Sequence, residues 1–284
     1  MLFHALREAE ATLAQAGVAS PRYDTHAIAA HVLGVAPLEI TFHMRDEVPA
    51  EFFEYIKLRA QRVPLQHILE EAYFGPLRFS VGPGVFIPRP ETEVLAQWAE
   101  KELEKKFSEG ENDLICVDLC TGSGALAAYI KNAHPKTRVY AVELSNIAAE
   151  YARKNFAAAG LNISLTRQDA SLATTLAELN GTVDLLVTNP PYVPERSEKE
   201  LEPEVSFDPH MAVFSGGDGM QLIPKLITRS AALLKPGGQI GIEHDDTTSA
   251  AVIAAFEDTG LFRDIRTMAD LTGRNRFVLA TRRS

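Results

Sequence analysis

The N-terminal part of the chain has the hydrophobic spacing of α-helices. The apolar residues of the first predicted helix recur every three to four positions and are Leu2, Leu6, Ala9 and Leu13. Ser20 and Pro21 then predict a second helix, because serine caps a first turn and proline fits the first helical position. Gly34 ends that helix, and two further helices follow, the second opened by Pro49. The pattern predicts a small all-α domain over residues 1–70.

The pattern changes over residues 71–92, where glycine and proline interrupt short β-like pieces. From Leu77 to Val81, apolar and polar residues alternate, which is the period of a half-buried strand. We predict a β-hairpin that links the helical domain to the remainder of the chain. A long helix follows, and Arg89 and Thr92 near its start either cap that helix or face a ligand.

From Leu114 onward, strand and helix patterns alternate. The predicted strands cover residues 114–119, 138–143, 163–167, 183–187 and 239–243. The predicted helices begin at Ala125, Asn146, Gly219 and Thr247. The third of these ends at a turn, 235–238, and two last β-like runs, 262–266 and 276–280, predict a closing antiparallel hairpin. Such alternation indicates an α/β fold with a largely parallel sheet, in a domain that spans residues 93–284.

Length and composition narrow the class of protein. With 284 residues the chain exceeds the usual single domain, and 46% hydrophobic residues suffice for a sizeable core. The net charge of −10 argues against stable nucleic-acid binding, which depends on Lys and Arg at phosphates. Charged residues near the N-terminus argue against a signal peptide, and no apolar run approaches the roughly 20 residues of a membrane span. We expect a cytoplasmic protein with no membrane attachment.

The two cysteines and the eight histidines form no recognisable metal site. Cys116 and Cys120 match no zinc-binding spacing, so packing in the core is their expected role. A disulfide between them is not expected in a reducing cytosol. We predict that the protein binds no metal.

A glycine-rich turn follows the first strand of the α/β domain. It comprises Asp118, Leu119, Cys120, Thr121, Gly122, Ser123 and Gly124. Glycines there let a ligand approach the backbone, and the next helix offers the positive end of its dipole. Glu143 ends the next strand, nineteen residues after Gly124, where a carboxylate can accept both hydroxyls of a ribose. An NAD site also fits this weak pattern, but Asp118 suits a ligand with an ammonium group better than one with a pyrophosphate.

Two further strands end in polar residues at the same predicted edge of the sheet. Asp169 either accepts a hydrogen bond from an adenine amino group or is a solvated loop residue. The run from Val183 to Val187 ends at Thr-Asn-Pro-Pro-Tyr, whose proline pair holds rigid acceptors at the strand end. The side-chain oxygen of Asn189 and the carbonyl of Pro190 can accept both N–H groups of a planar amide, on which Tyr192 can stack. The alternative is a simple Asn-Pro turn.

The sequence resembles a known family. Four segments resemble class I S-adenosylmethionine-dependent methyltransferases that act on a planar nitrogen, namely DLCTGSG, AVELS, QDA and VTNPPY. Four others resemble the HemK family, the peptide chain release factor glutamine methyltransferases, namely VPLQHILEEAYFGPLRF, VFIPRPETEVL, SFDPHMAVFSGGDGM and DLTGRNRFVLA. The resemblance runs from about Val63 to the C-terminus, and NPPY together with IPRPETE is highly specific.

The resemblance implies a fold, a cofactor and a substrate. The fold is a Rossmann-like seven-stranded methyltransferase sheet, joined by the hairpin to a small N-terminal all-α domain that recognises the release factor. The cofactor is S-adenosyl-L-methionine, with S-adenosyl-L-homocysteine as product, and the substrate is the glutamine in the Gly-Gly-Gln loop of bacterial class 1 release factors.

The resemblance also implies roles for individual residues. Asp118 is an expected cofactor contact from the argument above. The resemblance adds Cys120, Thr121, Gly122, Ser123, Gly124, Glu143, Asp169, Ala170 and Asn189. The expected substrate contacts are Asn189, Pro190, Pro191 and Tyr192, followed by Phe86, Arg89 and Thr92. Of these, Asn189, Pro190 and Tyr192 are the expected catalytic residues.

Some positions depart from the family pattern. Cys120 stands where glycine is usual and Glu143 where aspartate is common, and both preserve the chemistry. Ala170 stands where a large side chain often packs on adenine, so either cofactor affinity is weaker or the adenine contacts lie elsewhere. Residues 243–246, Glu-His-Asp-Asp, replace a more usual Glu-Ile-Gly or Glu-His-Gly run, and the sequence suggests no function for them.

Two other functions fit parts of the sequence. A nucleic-acid amino-methyltransferase shares NPPY, but it needs base flipping and a basic groove or a target-recognition domain. This acidic chain shows neither feature. A non-enzymatic scaffold is the second alternative, and it would show no saturable binding of S-adenosylmethionine.

Overall fold

The computed structural model describes residues 1–284, which form two compact units. The smaller unit comprises Met1–Glu71 together with Glu202–Phe207, and the larger comprises Ala72–Leu201 and Asp208–Ser284. The sequence pattern did not indicate that residues 202–207 belong with the N-terminal helices. None of the helices is both long and apolar enough to span a bilayer.

The smaller unit is helical. Its α-helices are α1 (Leu2–Gln15), α2 (Pro21–Leu33), α3 (Ala50–Ala60) and α4 (Leu65–Leu69), and its 3₁₀ helices are Pro37–Phe42 and Pro203–Phe207. The helix pattern was predicted for α1, α2, α3 and Pro37–Phe42, but not for the short turn of α4 after Pro64 or for Pro203–Phe207, which lies in a segment predicted as a polar loop. Apolar side chains on the inward faces form one core that includes Leu2, Leu6, Leu13, Ile28, Ile40, Phe52 and Ile56.

Buried charges hold residues 202–207 within the helical unit. Arg59 lies between two carboxylates, with Nε 2.7 Å from Asp24 Oδ2 and Nη2 2.8 Å from Glu204 Oε1. Arg62 Nη2 lies 2.6 Å from Glu204 Oε2. Burial alone would raise the pKa of Glu204, but the hydrogen bonds from Arg62 and Arg59 outweigh it and lower that pKa to about 2. A buried guanidinium needs such partners, because an unpaired charge in the interior is strongly unfavourable.

The larger unit is an α/β domain with a two-stranded and a seven-stranded sheet. Its strands are β1 (Glu71–Phe74), β2 (Leu77–Ser80), β3 (Ile115–Leu119), β4 (Arg138–Glu143), β5 (Ser164–Arg167), β6 (Val183–Thr188), β7 (Leu234–Glu243), β8 (Phe262–Ala269) and β9 (Asn275–Arg282). Its helices are α5 (Thr92–Ser108), α6 (Ala125–Ala133), α7 (Asn146–Ala158), α8 (His210–Val213), α9 (Ile223–Leu233) and α10 (Ser249–Asp258).

The large sheet has the order β5-β4-β3-β6-β7-β9-β8, parallel from β5 to β7 and antiparallel at β9 and β8. This confirms the predicted seven-stranded sheet and its closing hairpin. Every residue of β3 and β6 is buried, because helices cover both faces of the central strands. From β3 the chain continues to β4 and β5 on one side of the sheet, and it then returns to place β6 and β7 on the other side of β3. A crevice forms at the sheet edge where the strand order reverses in this way.

Two boundaries near α9 were predicted wrongly. The helix begins at Ile223 and not at Gly219, because Gly219 has φ +78° and cannot lie in a right-handed helix. The segment 235–238 was predicted as a turn, but it lies within β7 as an irregular bulge. Val183 pairs with Leu234 and Leu185 pairs with Gln239, so β7 advances five residues while β6 advances two.

Candidate active site

One cavity of about 240 Å³ lies at the carboxyl ends of β3, β4 and β6. A single water needs only roughly 15 Å³, so the cavity can hold an organic molecule. It brings together most of the predicted site residues: Phe86, Thr92, Cys120, Thr121, Gly122, Ser123, Glu143, Asp169, Ala170, Asn189, Pro190, Pro191 and Tyr192. Three predicted residues, Asp118, Gly124 and Arg89, do not line it.

The glycine-rich turn depends on unusual backbone angles. Cys120, Gly122 and Gly124 have φ values of +61°, +57° and +89°. Gly124 starts α6, and a Cβ there would overlap the ring of Phe156, so both its φ and its surroundings require glycine. Cys120 adopts a left-handed conformation with a side chain, and this half-buried thiol lines the cavity, unlike the fully buried Cys116.

Asp118 lies buried beneath this turn. Its Oδ2 accepts hydrogen bonds from Thr121 Oγ1 at 2.5 Å and from the Ala127 amide at 3.1 Å. Its Oδ1 is buried and has no hydrogen-bond partner. Burial raises the pKa of Asp118 to about 7, although these two hydrogen bonds oppose the shift. The carboxyl group therefore holds the turn against α6.

Glu143 connects the turn to the next strand. Its Oε2 accepts from the Gly122 amide and its Oε1 from the Ser145 amide, both at 2.8 Å. Burial raises the pKa of Glu143, and the backbone hydrogen bonds oppose that shift. Each oxygen of an ionised carboxylate can accept a second hydrogen bond, so Glu143 can still bind two hydroxyl groups.

Asp169 and Ala170 form another wall of the cavity. Asp169 Oδ1 accepts from the amide and the hydroxyl of Ser171, at 2.8 and 2.7 Å, which orders the loop after β5. Ala170 is small and buried, and it offers little surface for a flat ring. Leu144, on the same cavity and 50% exposed, provides a larger apolar side chain that sequence reasoning did not select.

The segment after β6 places polar groups at the cavity wall. Thr188 Oγ1 donates to the Leu119 carbonyl at 2.6 Å and ties β6 to β3 where both strands end. Residues 190 and 191 have no amide hydrogen, so the chain leaves the sheet there. Gly219 packs against the Tyr192 carbonyl, and a Cβ at that position would overlap it. The Asn-Pro-Pro-Tyr segment is thus held by its neighbours on both sides.

Asn189 and Tyr192 share a hydrogen-bonded network with two residues from other elements. Asn189 Nδ2 donates to Thr92 Oγ1 at 3.0 Å, and Thr92 Oγ1 donates to Glu243 Oε2 at 2.8 Å. Tyr192 Oη donates to Glu243 Oε1 at 2.9 Å. Glu243 ends β7, is 1% exposed, and has its pKa raised by burial to about 7. Sequence reasoning missed its role, since nothing near Glu243 in the chain signals contact with residues 92 and 192.

Arg89 and Phe86 lie beside the network. The Arg89 guanidinium forms an ion pair with Asp208 and lies 4.9 Å from the centroid of the Phe86 ring, while Phe86 faces the cavity. Neither of the predicted helix-capping roles is present, because the first turn of α5 has no side-chain cap and the Thr92 hydroxyl bonds to Glu243.

Known proteins resemble this chain along nearly its whole length. A family model described as "PrmC N-terminal domain" matches residues 4–69, and one described as "Methyltransferase small domain" matches residues 92–205. The release factor glutamine methyltransferase of Corynebacterium glutamicum is 55% identical over 279 residues, which cover 98% of each chain. The protein of the same name from Mycolicibacterium smegmatis is 48% identical over 281 residues, covering 98% of this chain and 96% of that one.

A solved structure with lower sequence identity supports the fold. The hMettl16 catalytic domain in complex with MAT2A 3'UTR hairpin 6 superposes with a TM-score of 0.56 and 16% identity, covering 84% of each chain. At that identity the similarity concerns the arrangement of strands and helices and carries no information on the substrate.

Proposed function

Since this chain belongs to the family of release factor glutamine methyltransferases, we propose that it transfers a methyl group from S-adenosyl-L-methionine to the side-chain amide nitrogen (N5) of a glutamine. The glutamine is that of the Gly-Gly-Gln motif of bacterial class 1 release factors, so the reaction modulates translation termination. The observation that supports this most is the meeting of Asn189, Pro190 and Tyr192 with Glu143 and the glycine-rich turn in one cavity.

The cavity residues fit the cofactor. When bound, S-adenosylmethionine supplies an electrophilic methyl group. Glu143 lines the cavity, and its spare acceptor positions complement ribose hydroxyls. Asp118 lies beneath the glycine-rich turn and does not line the cavity, but its unpartnered Oδ1 complements an ammonium group held at that turn. Leu144 offers the apolar surface for adenine that Ala170 is too small to provide.

Asn189 and Pro190 act on the substrate amide. An amide nitrogen is a weak nucleophile because its lone pair is delocalised into the carbonyl group. The Asn189 side-chain oxygen and the Pro190 carbonyl accept hydrogen bonds from its two N–H groups. The lone pair of the nitrogen then points toward the methyl group that is transferred. As the nitrogen gains a bond its N–H groups become more acidic, and these hydrogen bonds strengthen in the transition state. After transfer the nitrogen loses one of its two protons to solvent, so the catalysis is positioning and needs no dedicated general base.

The partner and the compartment follow from the same proposal. Release factors are cytoplasmic proteins, so we place the reaction in the cytoplasm, with the helical unit as the part that recognises the release factor. The net charge of −10 does not favour stable association with nucleic acid.

Asn189→Ala tests the proposed role of the acceptor. Removing one group that stabilises a transition state typically costs about 100-fold in turnover, and we expect at least that loss here. Binding of S-adenosylmethionine, measured by calorimetry, stays within about threefold, since other residues supply most cofactor contacts. Asn112→Ala, at an exposed loop asparagine, is the control and keeps the wild-type rate. A near wild-type rate in Asn189→Ala would exclude this mechanism.

A further inference from the structure

In the hydrogen bonds that link Asn189 to Thr92 and Thr92 to Glu243, the donor is always the residue farther from Glu243. The proposed role of the Asn189 oxygen requires this order of donors and acceptors. We propose that Glu243 is a positioning residue, which acts through Thr92 to orient the Asn189 side chain so that its oxygen, and not its nitrogen, faces the substrate amide. The inference rests on the proposed function, because that function gives the Asn189 oxygen its role.

The direction begins at Glu243. An ionised carboxylate accepts hydrogen bonds and cannot donate them, so the Thr92 hydroxyl must donate its only hydrogen to Glu243 Oε2, 2.8 Å away. Thr92 Oγ1 can then only accept from its other neighbour. Asn189 must therefore present its NH₂ group to Thr92, 3.0 Å away, and its oxygen points elsewhere.

The opposite orientation would disable the site. With the Asn189 amide turned over, two acceptors would meet at Thr92 and the NH₂ group would face the N–H groups of the substrate. Both contacts are repulsive, and in a buried site an unmatched donor or acceptor is costly. Glu243 thus determines which end of the Asn189 amide faces the substrate, although it forms no hydrogen bond with Asn189.

The second oxygen of Glu243 orders the other side of the substrate site. Tyr192 Oη donates to Oε1 at 2.9 Å. Burial and the charge of Glu243 raise the pKa of Tyr192 well above its usual range, so Tyr192 remains a phenol and a donor. One carboxylate therefore positions both the acceptor and the ring that covers the amide.

The main test compares Thr92→Val with Thr92→Ser. Valine has the shape of threonine but no hydroxyl, so Asn189 loses its orienting partner, whereas serine keeps that partner. We expect kcat to fall about tenfold or more in Thr92→Val and to stay within about threefold in Thr92→Ser. The KM for the release factor and the Kd for S-adenosylmethionine change less than kcat in both, because the glycine-rich turn, Glu143 and the Asn-Pro-Pro-Tyr backbone are unchanged.

A double mutant separates positioning from direct contact with the substrate. If Thr92 acts through Asn189, then Thr92→Val adds less than about twofold to the loss already caused by Asn189→Ala. A full additional loss in the double mutant would mean that Thr92 acts independently, and it would overturn the proposal.

The pH profile gives a second readout. Protonated Glu243 carries a hydrogen of its own. When it donates that hydrogen to Thr92 or Tyr192, the direction of one of its two hydrogen bonds is reversed. The charged or titratable groups that face it are Tyr192, Arg276 on β9 and Glu91 before α5, and Arg276 favours the ionised form while Glu91 disfavours it. Wild-type kcat should fall as the pH drops below about 7, the pKa to which burial raises this carboxyl group. Glu243→Gln should be slower than the wild type above about pH 7 and should lack this fall.

The orientation can also be measured without a substrate. In the wild type, the Asn189 NH₂ hydrogen bonded to Thr92 should exchange slowly with solvent, and NMR of the free protein should show about tenfold faster exchange in Thr92→Val. Equal exchange in the two proteins, or an unchanged kcat in Thr92→Val, would overturn the positioning role. A wild type that methylates no release factor would instead count against the proposed function, and the exchange measurement would still decide the orientation.

Discussion

Three buried carboxyl groups line the cavity or bond to residues that line it, and their hydrogen-bond partners give them different tasks. Asp118 holds the glycine-rich turn and keeps one oxygen unpaired, Glu143 accepts from two backbone amides, and Glu243 accepts from two hydroxyl groups. Burial raises the pKa of each. Between their usual pKa and about 7, Asp118 and Glu243 keep protons in the folded protein that the unfolded chain has lost, and the pKa of Glu143 shifts in the same direction. These groups therefore lower the free energy of unfolding as the pH rises through that range.

Asp118 should make cofactor binding depend on pH. Its ionised form attracts an ammonium group and its pKa lies at about 7, so affinity for S-adenosylmethionine should rise as the pH increases from about 6 to about 8. In Asp118→Asn, affinity should be about tenfold lower at the higher pH and nearly independent of pH.

Calorimetric titration at the two pH values checks this expectation. Asp113→Asn, at an exposed aspartate close in the sequence, serves as the control and should titrate like the wild type. A wild-type affinity that does not change with pH would contradict the assigned role of Asp118.

Local signals could predict some site residues but not others. Asn189 follows a buried apolar run and precedes a proline pair, Tyr192 follows that pair, and Glu143 ends a strand, so each has a signal in its own segment. Glu243 has none, because its partner Thr92 lies 151 residues away and is met only after the sheet has formed. Leu144 was missed for a similar reason, since an exposed leucine is unremarkable until a cavity is seen beside it.

At the level of elements, the glycine-rich turn joins β3 to α6 through a backbone that most residues cannot adopt. Gly122 and Gly124 both have positive φ, at +57° and +89°, but their surroundings differ. No atom lies within 4 Å of a Cβ built on Gly122, whereas one on Gly124 would overlap Phe156 of α7. The approach of α7 to the turn therefore depends on Gly124 in particular.

Alanine at these two positions should separate backbone strain from overlap. Gly122→Ala carries only the cost of left-handed backbone, about 1–2 kcal/mol. Gly124→Ala adds overlap in a packed region, so its free energy of unfolding should fall by roughly 1–3 kcal/mol more. Urea denaturation of both variants measures the difference, and equal destabilisation would show that Phe156 moves aside without cost.

The pattern of apolar and polar residues predicted most elements, because the helices bury one regular face and the central strands are buried on both faces. β3 and β6 stand out as continuous apolar runs, and α1 and α5 as amphipathic repeats. The bulge within β7 was not predictable, since Lys-Pro-Gly-Gly has the composition of a turn and joins the strand only through pairing with β6. The salt bridge from Lys235 to Asp184, at 2.5 Å, is one of the contacts that hold it there.

At the level of the whole molecule, residues 202–207 show how charge assigns a segment to a unit. Glu204 lies 142 residues from Arg62 in the sequence, yet its ion pairs with Arg59 and Arg62 place it among the N-terminal helices. No pattern within the segment predicts this, because acidic residues are ordinary in loops. The fold of each unit was predictable from periodicity, but the membership of this segment depends on long-range pairing.

The central claim, that this chain methylates one glutamine in release factors, is tested most directly by methyl transfer. The full chain is incubated with radiolabelled S-adenosylmethionine and a bacterial class 1 release factor, either intact or with the glutamine of its Gly-Gly-Gln loop replaced by alanine. We predict that label enters the intact release factor and is absent from the substituted one. Equal labelling of both proteins, or transfer of label to nucleic acid instead, would contradict the assignment.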